Sequence, residues 1–199
     1  MSTYRYKTID RFYSELYKEK ASKFFALVYP VSTEDEVKEL LVKIRKEYYD
    51  SRHVCYAYIL GYNKELWRVN DAGEPSNTAG KPIYGQLVSF DLTNVLLVVV
   101  RYFGGTKLGV GGLIQAYKTS AQLVLEKATI IEKDILIKYK LTVSYEHYSG
   151  IIKSIKNVDG IMISSEQLEE CTIDCEIPMS NKTKFDALIH LKTKTIANE

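Results

Sequence analysis

An unbroken run of six aliphatic residues, 95–100, constrains the fold of this chain more than any other segment. Arg101 and two aromatic residues follow it, then a glycine-rich stretch, Gly104–Gly112, and then an amphipathic pattern over residues 113–128. A short apolar run bounded by turn signals is typical of a strand that is buried on both faces. The order therefore predicts a buried strand, a loop whose backbone can approach another molecule closely, and a helix whose free N–H groups face that loop.

Length and composition exclude several classes of protein. A chain of 199 residues holds one large domain or two small ones. Its longest aliphatic run is far short of the roughly 20 residues of a membrane span, and its first residues contain no apolar signal core, so we expect a cytoplasmic protein without a membrane. Three cysteines do not make a disulfide framework. Cys171 and Cys175, on one strand, would lie roughly 13 Å apart, too far to share a metal. We expect no metal site and no cofactor.

Charge is distributed unevenly along the chain, although the net charge is only +2. Residues 1–128 carry 18 Lys and Arg against 14 Asp and Glu, whereas residues 129–199 carry 9 against 11. Because a polyanion is attracted by Lys and Arg, it would prefer the first part of the chain. The acidic residues around Glu166–Glu176 would repel phosphates from the second part.

Periodicity predicts the elements of the first part. Strand patterns cover residues 4–9, 12–17 and 24–31, and a helix over residues 33–49 begins with a capping box formed by Thr33 and Glu36. A hairpin follows, with strands at residues 53–62 and 66–69. The loop at residues 70–80 is too long and too rich in small residues for a simple connector. A short helix at residues 81–90 precedes the buried strand.

The second part has a different order of elements. Strands are predicted at residues 135–144, 161–165 and 171–177, and helices at residues 145–157 and 181–191, with room for a last strand at the C-terminus. The order β-α-β-β-α is that of a ferredoxin-like unit. We therefore predict an α+β protein with two domains, residues 1–130 and 131–199.

Two segments resemble a known family. They are Asp71-Ala-Gly-Glu-Pro-Ser-Asn-Thr-Ala-Gly-Lys-Pro82 and Arg101-Tyr-Phe-Gly-Gly-Thr-Lys-Leu-Gly109, with the strand His53-x-Cys-x-Ala57 upstream. Together they resemble the YigZ/IMPACT family, in its bacterial two-domain branch. Many relatives have glycine where this chain has Asn77, and because asparagine tolerates a positive φ, the turn is expected to survive.

The resemblance implies a fold for each domain and a cellular process in which the protein acts. It implies a first domain similar to the second domain of a small-subunit ribosomal protein, an α/β sandwich related to the GHMP kinases. It implies a second domain similar to the last domain of elongation factor G, which is ferredoxin-like. The eukaryotic relative acts in translational control, so the resemblance also implies a link to translation.

The glycine-rich stretch has two interpretations. Its backbone N–H groups and a lysine could grip a phosphate at the helix start, or its glycines could be needed for a tight crossover. The spacing matches neither the P-loop nor the dinucleotide-binding pattern. The candidate anion-binding residues are Arg101, Gly104, Gly105, Lys107, Gly109, Gly111 and Gly112.

A second group of candidates lies on the loop at residues 70–80 and the preceding strand. Arg101 continues an apolar strand face, so it needs a partner, and Asp71 and Glu74 are the acids available. Arg101 would form a structural ion pair that clamps the two loops together, and that could also orient a ligand, or it would be a catalytic arginine. The two acids would serve as an acid/base or magnesium-binding pair, or cap turns, and His53 would be a general base or a hydrogen-bonded core residue. The supporting residues are His53, Asp71, Glu74, Thr78, Gly80 and Lys81.

These observations favour a binding protein over an enzyme. The leading hypothesis is a translation-linked protein that contacts RNA or a ribosome-associated partner through its first domain, with Trp67, Tyr102 and Phe103 available for stacking on bases. One alternative is an enzyme acting on a phosphorylated small molecule or nucleotide. The other is a protein–protein adaptor that uses the same groove.

Overall fold

The structure, a computed structural model, describes residues 4–190, 193 and 195–198 and has a mixed α/β architecture. The chain divides into two compact units. Tyr6–Lys133 form the first, and the described residues from Asp134 onward form the second together with Tyr4 and Arg5. The elements up to the division are β1 Arg5–Ile9, β2 Tyr13–Glu19, β3 Ser22–Pro30, α1 Glu34–Glu47, β4 His53–Leu60, β5 Leu66–Asn70, α2 Gly80–Ser89, β6 Val95–Tyr102, α3 Gly109–Lys127 and β7 Ile130–Asp134.

A five-stranded antiparallel sheet with the strand order β2-β3-β6-β4-β5 is the centre of the first unit. The aliphatic run at residues 95–100 lies in the middle strand, and each of its side chains is fully buried, as predicted. Alternate residues face opposite sides of a strand, so α1 packs on one face of the sheet while α2 and α3 pack on the other.

Helix α1 begins where its capping signal places it. The side chain of Thr33 accepts a hydrogen bond from the backbone N–H of Glu36 at 3.2 Å. The carboxylate of Glu36 reaches back to the N–H of Ser32 at 2.7 Å, one residue before the group expected for a capping box. The helix buries Val37, Leu41 and Ile44 against the sheet, and the predicted helix is confirmed.

The prediction for the start of α3 was wrong. The helix begins at Gly109 rather than at Leu113, so the connection from β6 covers only residues 103–108. Gly109, Gly111 and Gly112 therefore belong to the first turn of the helix and not to a loop. Gly109 adopts a positive φ of 72°, which glycine reaches without a steric penalty.

Residues 129–134, where the sequence predicted the domain boundary, contain a strand. β7 pairs with β1 in a small two-stranded sheet. The N–H of Asp10 donates to the carbonyl of Thr129 at 3.2 Å, next to this sheet. Residues 130–134 are therefore extended and hydrogen-bonded rather than an irregular linker.

The second unit is a four-stranded antiparallel sheet with the order β11-β8-β10-β9. Its predicted helices α4 and α5 are present, and their apolar residues form one core with the inward-facing residues of β8 and β10. No helix in the described part of the chain is both long and apolar enough to span a bilayer. The elements are β8 Leu136–Val143, α4 Tyr145–Lys156, β9 Ile161–Gln167, β10 Cys171–Pro178, α5 Lys182–Ile189 and β11 Thr195–Asn198.

Candidate functional site

A buried ion pair joins the end of β6 to the loop that precedes α2. Arg101 donates from Nη1 to Oε1 of Glu74 at 2.6 Å, and the two side chains are only 6% and 4% exposed. An isolated charge at this depth would be strongly destabilising, so each of these residues requires the other. Of the two acids that the sequence offered as partners, Glu74 is the one in contact.

Two further side chains converge on the same carboxylate oxygen. The hydroxyl of Tyr117, two turns into α3, donates to Glu74 Oε1 at 2.9 Å. Burial raises the pKa of Tyr117, so its hydroxyl keeps its proton and remains a donor. His53, at the start of β4, places Nε2 4.0 Å from the same oxygen, while its Nδ1 lies 2.9 Å from the carbonyl of Ala72. Because a carbonyl only accepts, Nδ1 carries the proton and the ring is held facing Glu74.

Arg101 also lies between two aromatic rings. Its Cζ is 5.5 Å from the ring centroids of both Phe24 and Phe103. Its Nε is buried and has no hydrogen-bond partner among the described residues. Cation–π contacts therefore replace some of the hydrogen bonds that the guanidinium would make in water.

Cys55 completes the buried group. Its Sγ donates to the carbonyl of Asp71 at 3.0 Å and lies 3.4 Å from the Tyr117 hydroxyl. Burial raises the pKa of this thiol to about 12, so it stays protonated and is a poor nucleophile. The sequence hypotheses used neither Cys55 nor Tyr117, although a tyrosine in the apolar stripe of a helix signals a buried hydroxyl that needs a partner.

Asp71 holds the loop and the start of α2 together. Its Oδ1 accepts from the N–H groups of Ala79 at 3.0 Å and Gly80 at 2.8 Å, and its Oδ2 accepts from the N–H of Asn77 at 2.8 Å. The bonds to Ala79 and Gly80 cap the N-terminus of α2 from a residue that is distant in sequence, and the bond to Asn77 holds the preceding loop. Of the readings that the sequence left open for Asp71, the structure therefore favours capping.

The rest of this loop is also internally bonded. The hydroxyl of Thr78 donates to the carbonyl of Pro75 at 2.6 Å. Asn77 has a φ of 63°, which is the positive value expected for it. A Cβ at Gly80 would lie 2.8 Å from the backbone nitrogen of Asn70, so this glycine allows two segments to approach closely. Thr78 and Gly80 are thus parts of the scaffold.

Gly104 also lies where two backbone segments approach each other closely. Its N–H donates to Ser22 Oγ at 3.1 Å, and a Cβ here would lie 2.1 Å from the carbonyl carbon of Ala21. This supports the tight-crossover interpretation for Gly104. Gly105 is exposed, as are Lys107 and Lys81, and within the described residues neither lysine makes an ion pair. A role for them, and for the three glycines of α3, in binding an anion stays a prediction.

One end of the five-stranded sheet forms an exposed surface beside this buried group. β3 and β4 begin at this end and β6 ends there, as the pairs Lys23–Tyr102 and His53–Arg101 show. We call residues 20–23, 45–52 and 102–107 the sheet-end surface. Two of its aromatic residues are exposed, Tyr49 by 83% and Phe103 by 46%. Its exposed cations are Lys20, Lys23, Arg45, Lys46, Arg52 and Lys107, against the acids Glu47 and Asp50.

Sequence reasoning missed most of this surface. It named Lys107, Tyr102 and Phe103, but not the segment Arg45–Arg52, which follows α1. The signal available was the clustering of Lys, Arg and Tyr in that segment. Nothing in the sequence indicated that this segment and the end of β6 lie side by side.

Comparison with known proteins gives consistent matches. Residues 20–125 match the sequence model of the Impact N-terminal domain. The chain is 31% identical over 170 residues to "IMPACT family member YigZ" of Escherichia coli K12. That alignment covers 84% of this chain and 83% of the relative. It is 42% identical over 115 residues to "IMPACT family member YvyE" of Bacillus subtilis 168. That alignment covers 58% of this chain and spans about half, 53%, of the relative.

A solved structure resembles the whole chain. It is described as "Crystal structure of an hypothetical protein" and superposes with a TM-score of 0.78 at 27% sequence identity. The match covers 99% of this chain and 97% of that one. The combination of both units therefore occurs in another protein.

Proposed function

Because the chain belongs to the IMPACT family, we propose that it is a translation-linked binding protein whose first unit contacts RNA. The family supports the link to translation. The choice of RNA as partner comes from the chemistry of the sheet-end surface. The alternatives are a phosphorylated small molecule and a protein partner.

The observation that carries the proposal is the contrast between cations and acids at one end of the sheet. Six exposed Lys and Arg side chains stand there against two acids. One of those acids, Asp50, already accepts a hydrogen bond from the Tyr102 hydroxyl at 2.6 Å. Cations supply the sequence-independent attraction for phosphates, and exposed aromatic rings stack on unpaired bases. Both features are present on the sheet-end surface.

The buried group beneath this surface favours binding over catalysis. Both oxygens of Asp71 accept backbone N–H groups, and Glu74, whose side chain is only 4% exposed, accepts from Arg101 and Tyr117. A general base or a magnesium ligand needs a carboxylate oxygen that is open to the reacting group or the ion. We infer that these acids hold the loop in place instead.

The finer fold assignments belong to this proposal. The order β8-α4-β9-β10-α5-β11, with the sheet order β11-β8-β10-β9, supports the ferredoxin-like class for the second unit. An antiparallel sheet with helices on both faces supports the likeness of the first unit to the second domain of a ribosomal protein. We propose no RNA contact for the acidic β9–β10 region.

RNA binding is tested by fluorescence anisotropy of labelled oligonucleotides, single-stranded and hairpin, at about 50 and 200 mM salt. Arg52→Ala and Lys23→Ala are expected to weaken binding several-fold and to reduce the salt dependence. Lys118→Ala, an exposed lysine of α3 outside the sheet-end surface, is the matched control and should have no effect. Absence of saturable, salt-dependent binding at low ionic strength would reject the proposal.

A parallel thermal-shift screen tests the enzyme alternative. The probes are nucleotides and sugar phosphates, with and without magnesium. Stabilisation by one of them that is lost in Lys107→Ala would favour a small-molecule site at the glycine-rich segment. Such a result, without RNA binding, would replace the proposed function.

A further inference from the structure

Two shallow cavities lie side by side on the sheet-end surface, with Tyr48 lining both. The first has a volume of about 330 Å³ and the second about 260 Å³. The first is lined by Ala21, Lys23, Phe25, Tyr48, Asp50, Tyr102 and Phe103. The second is lined by Arg45, Tyr48, Tyr49, Ser51, Arg52, Val54 and Ala72.

The first cavity, which we call the aromatic cavity, has the chemistry of a base-stacking site. Four of its lining residues are aromatic, and the Phe25 ring lies 5.8 Å from the rings of both Tyr48 and Tyr102. The hydrogen bond to Asp50 fixes the Tyr102 ring and raises the pKa of Tyr102 to about 12, so the ring stays neutral. Phe103, at the rim, is half exposed and leaves an open face for a planar partner.

The second cavity, which we call the arginine cavity, has the chemistry of a phosphate site. Arg45 and Arg52 both line it, and none of its lining residues is an acid. Its floor is fixed, because the hydroxyl of Ser51 donates to the carbonyl of Tyr48 at 2.7 Å. Arginine is suited to bidentate hydrogen bonding of phosphate oxygens. Tyr49 extends from this cavity into solvent.

We propose that the two cavities bind one nucleotide step of single-stranded RNA. The base stacks in the aromatic cavity, the adjoining phosphate lies in the arginine cavity, and Tyr49 stacks on the next base. This inference rests on the proposed RNA-binding function. It adds that the RNA is single-stranded and states which part of a nucleotide each cavity contacts. Both cavities are close to the ~300 Å³ lower end of the range for sites that enclose a whole drug-sized ligand, so each is suited to part of a nucleotide. A duplex is not the occupant, because its bases are stacked on each other and their faces are covered.

The test compares three probes by anisotropy or by competition. They are an eight-nucleotide single-stranded RNA, the same sequence within a hairpin stem, and free nucleoside monophosphates. We expect the single strand to bind most tightly and the stem at least about tenfold more weakly. The free nucleotides should compete only at higher concentration, because they lack the second base that stacks on Tyr49.

Two variants separate the two cavities. Phe103→Ala should weaken single-strand binding by about 5- to 30-fold with an unchanged salt dependence, because stacking is lost and charge is not. Phe103→Trp should retain the affinity. Arg52→Ala should weaken binding and lower the slope of log affinity against log salt by about 0.7. Lys118→Ala should change neither quantity. Unchanged Trp67 fluorescence and melting temperature would show that the variants are folded.

The outcomes distinguish this inference from the proposed RNA-binding function on which it rests. Equal binding of stem and single strand, or full affinity in Phe103→Ala, would overturn the inference while leaving RNA binding intact. Free nucleoside monophosphates that bind as tightly as the oligonucleotide would also overturn it, in favour of a small-molecule site. Failure of every RNA probe would remove the proposed function itself.

Discussion

The loop before α2 and the sheet-end surface lie next to each other in the first unit but use their polar groups in opposite ways. In the loop, Asp71 accepts hydrogen bonds from backbone N–H groups, and the buried Glu74 accepts from Arg101 and Tyr117. On the sheet-end surface, cations and aromatic rings face solvent. Groups that are satisfied inside the protein position its backbone, whereas groups left open to solvent are the ones available to a partner. The following predictions test this division, from the largest expected effect to the smallest.

The largest effect is expected for Glu74→Ala. The substitution leaves the Arg101 guanidinium buried without its counter-charge, which should lower the free energy of unfolding by about 3 to 5 kcal/mol. Urea denaturation followed by fluorescence measures this in the first unit, because Trp67 is the single tryptophan of the chain. Glu39→Ala, an exposed acid on α1, should cost less than about 0.5 kcal/mol. A loss below about 1 kcal/mol for Glu74→Ala would show that the pair is not structural.

Two glycines of the same signature should respond in opposite directions. Gly104→Ala places a Cβ against the backbone of Ala21 and should destabilise the unit by about 3 kcal/mol, since backbone cannot move aside as a side chain can. Gly111→Ala has open space around the new methyl group, in the first turn of a helix, and should stabilise by up to about 1 kcal/mol. The same denaturation experiment compares them. Similar changes in both variants would contradict the assignment of Gly104 to a close approach.

Asp71→Ala should lower stability by about 2 kcal/mol, because three N–H groups near the start of α2 lose their acceptor. Ser76→Ala, an exposed hydroxyl in the same loop, is the matched control and should have almost no effect. RNA affinity, measured under conditions where both variants are folded, should fall little for either. A large loss of affinity in a folded Asp71→Ala protein would show that Asp71 takes part in RNA binding and does not only hold the loop in place.

The smallest effect concerns the cysteines. Cys55, Cys171 and Cys175 are buried, and burial raises the pKa of Cys55 and Cys175 to about 12. Because these pKa values lie above the unfolded value near 9, the stability contributed by protonated thiols is fully present below pH 9 and is lost as pH rises toward 12. Stability should therefore be insensitive to these thiols at pH 7 to 8. A chromogenic thiol reagent at pH 8 should react with none of them in the native protein and with all three in denaturant, and one fast native thiol would contradict this.

Sequence reasoning succeeded where the physical requirement is local or absolute. The aliphatic run at residues 95–100 has to be buried, the alternation over His53–Leu60 assigns each residue to a sheet face, and a charge at Arg101 on an apolar face has to find a partner. These requirements are visible in one segment at a time. They predicted the central strand, the hairpin and the existence of an ion pair between distant loops.

The remaining features depend on which segments meet in space. Which of the two acids pairs with Arg101 depends on how the loop folds. Glu74 is the partner, whereas Asp71 accepts from N–H groups six to nine residues further along the chain. Tyr117 joins Glu74 across 43 residues. The segment Arg45–Arg52 meets Phe103 only because β4 and β6 pair in the sheet. No pattern within a single segment encodes these approaches.

Ultraviolet cross-linking of a bound single-stranded RNA, followed by mass spectrometry of the cross-linked peptides, tests the central claim most directly. The account predicts cross-links in the peptides that contain Tyr48, Tyr49, Tyr102 and Phe103, with none in the part of the loop at residues 74–80. Cross-links confined to that loop or to the second unit would contradict it.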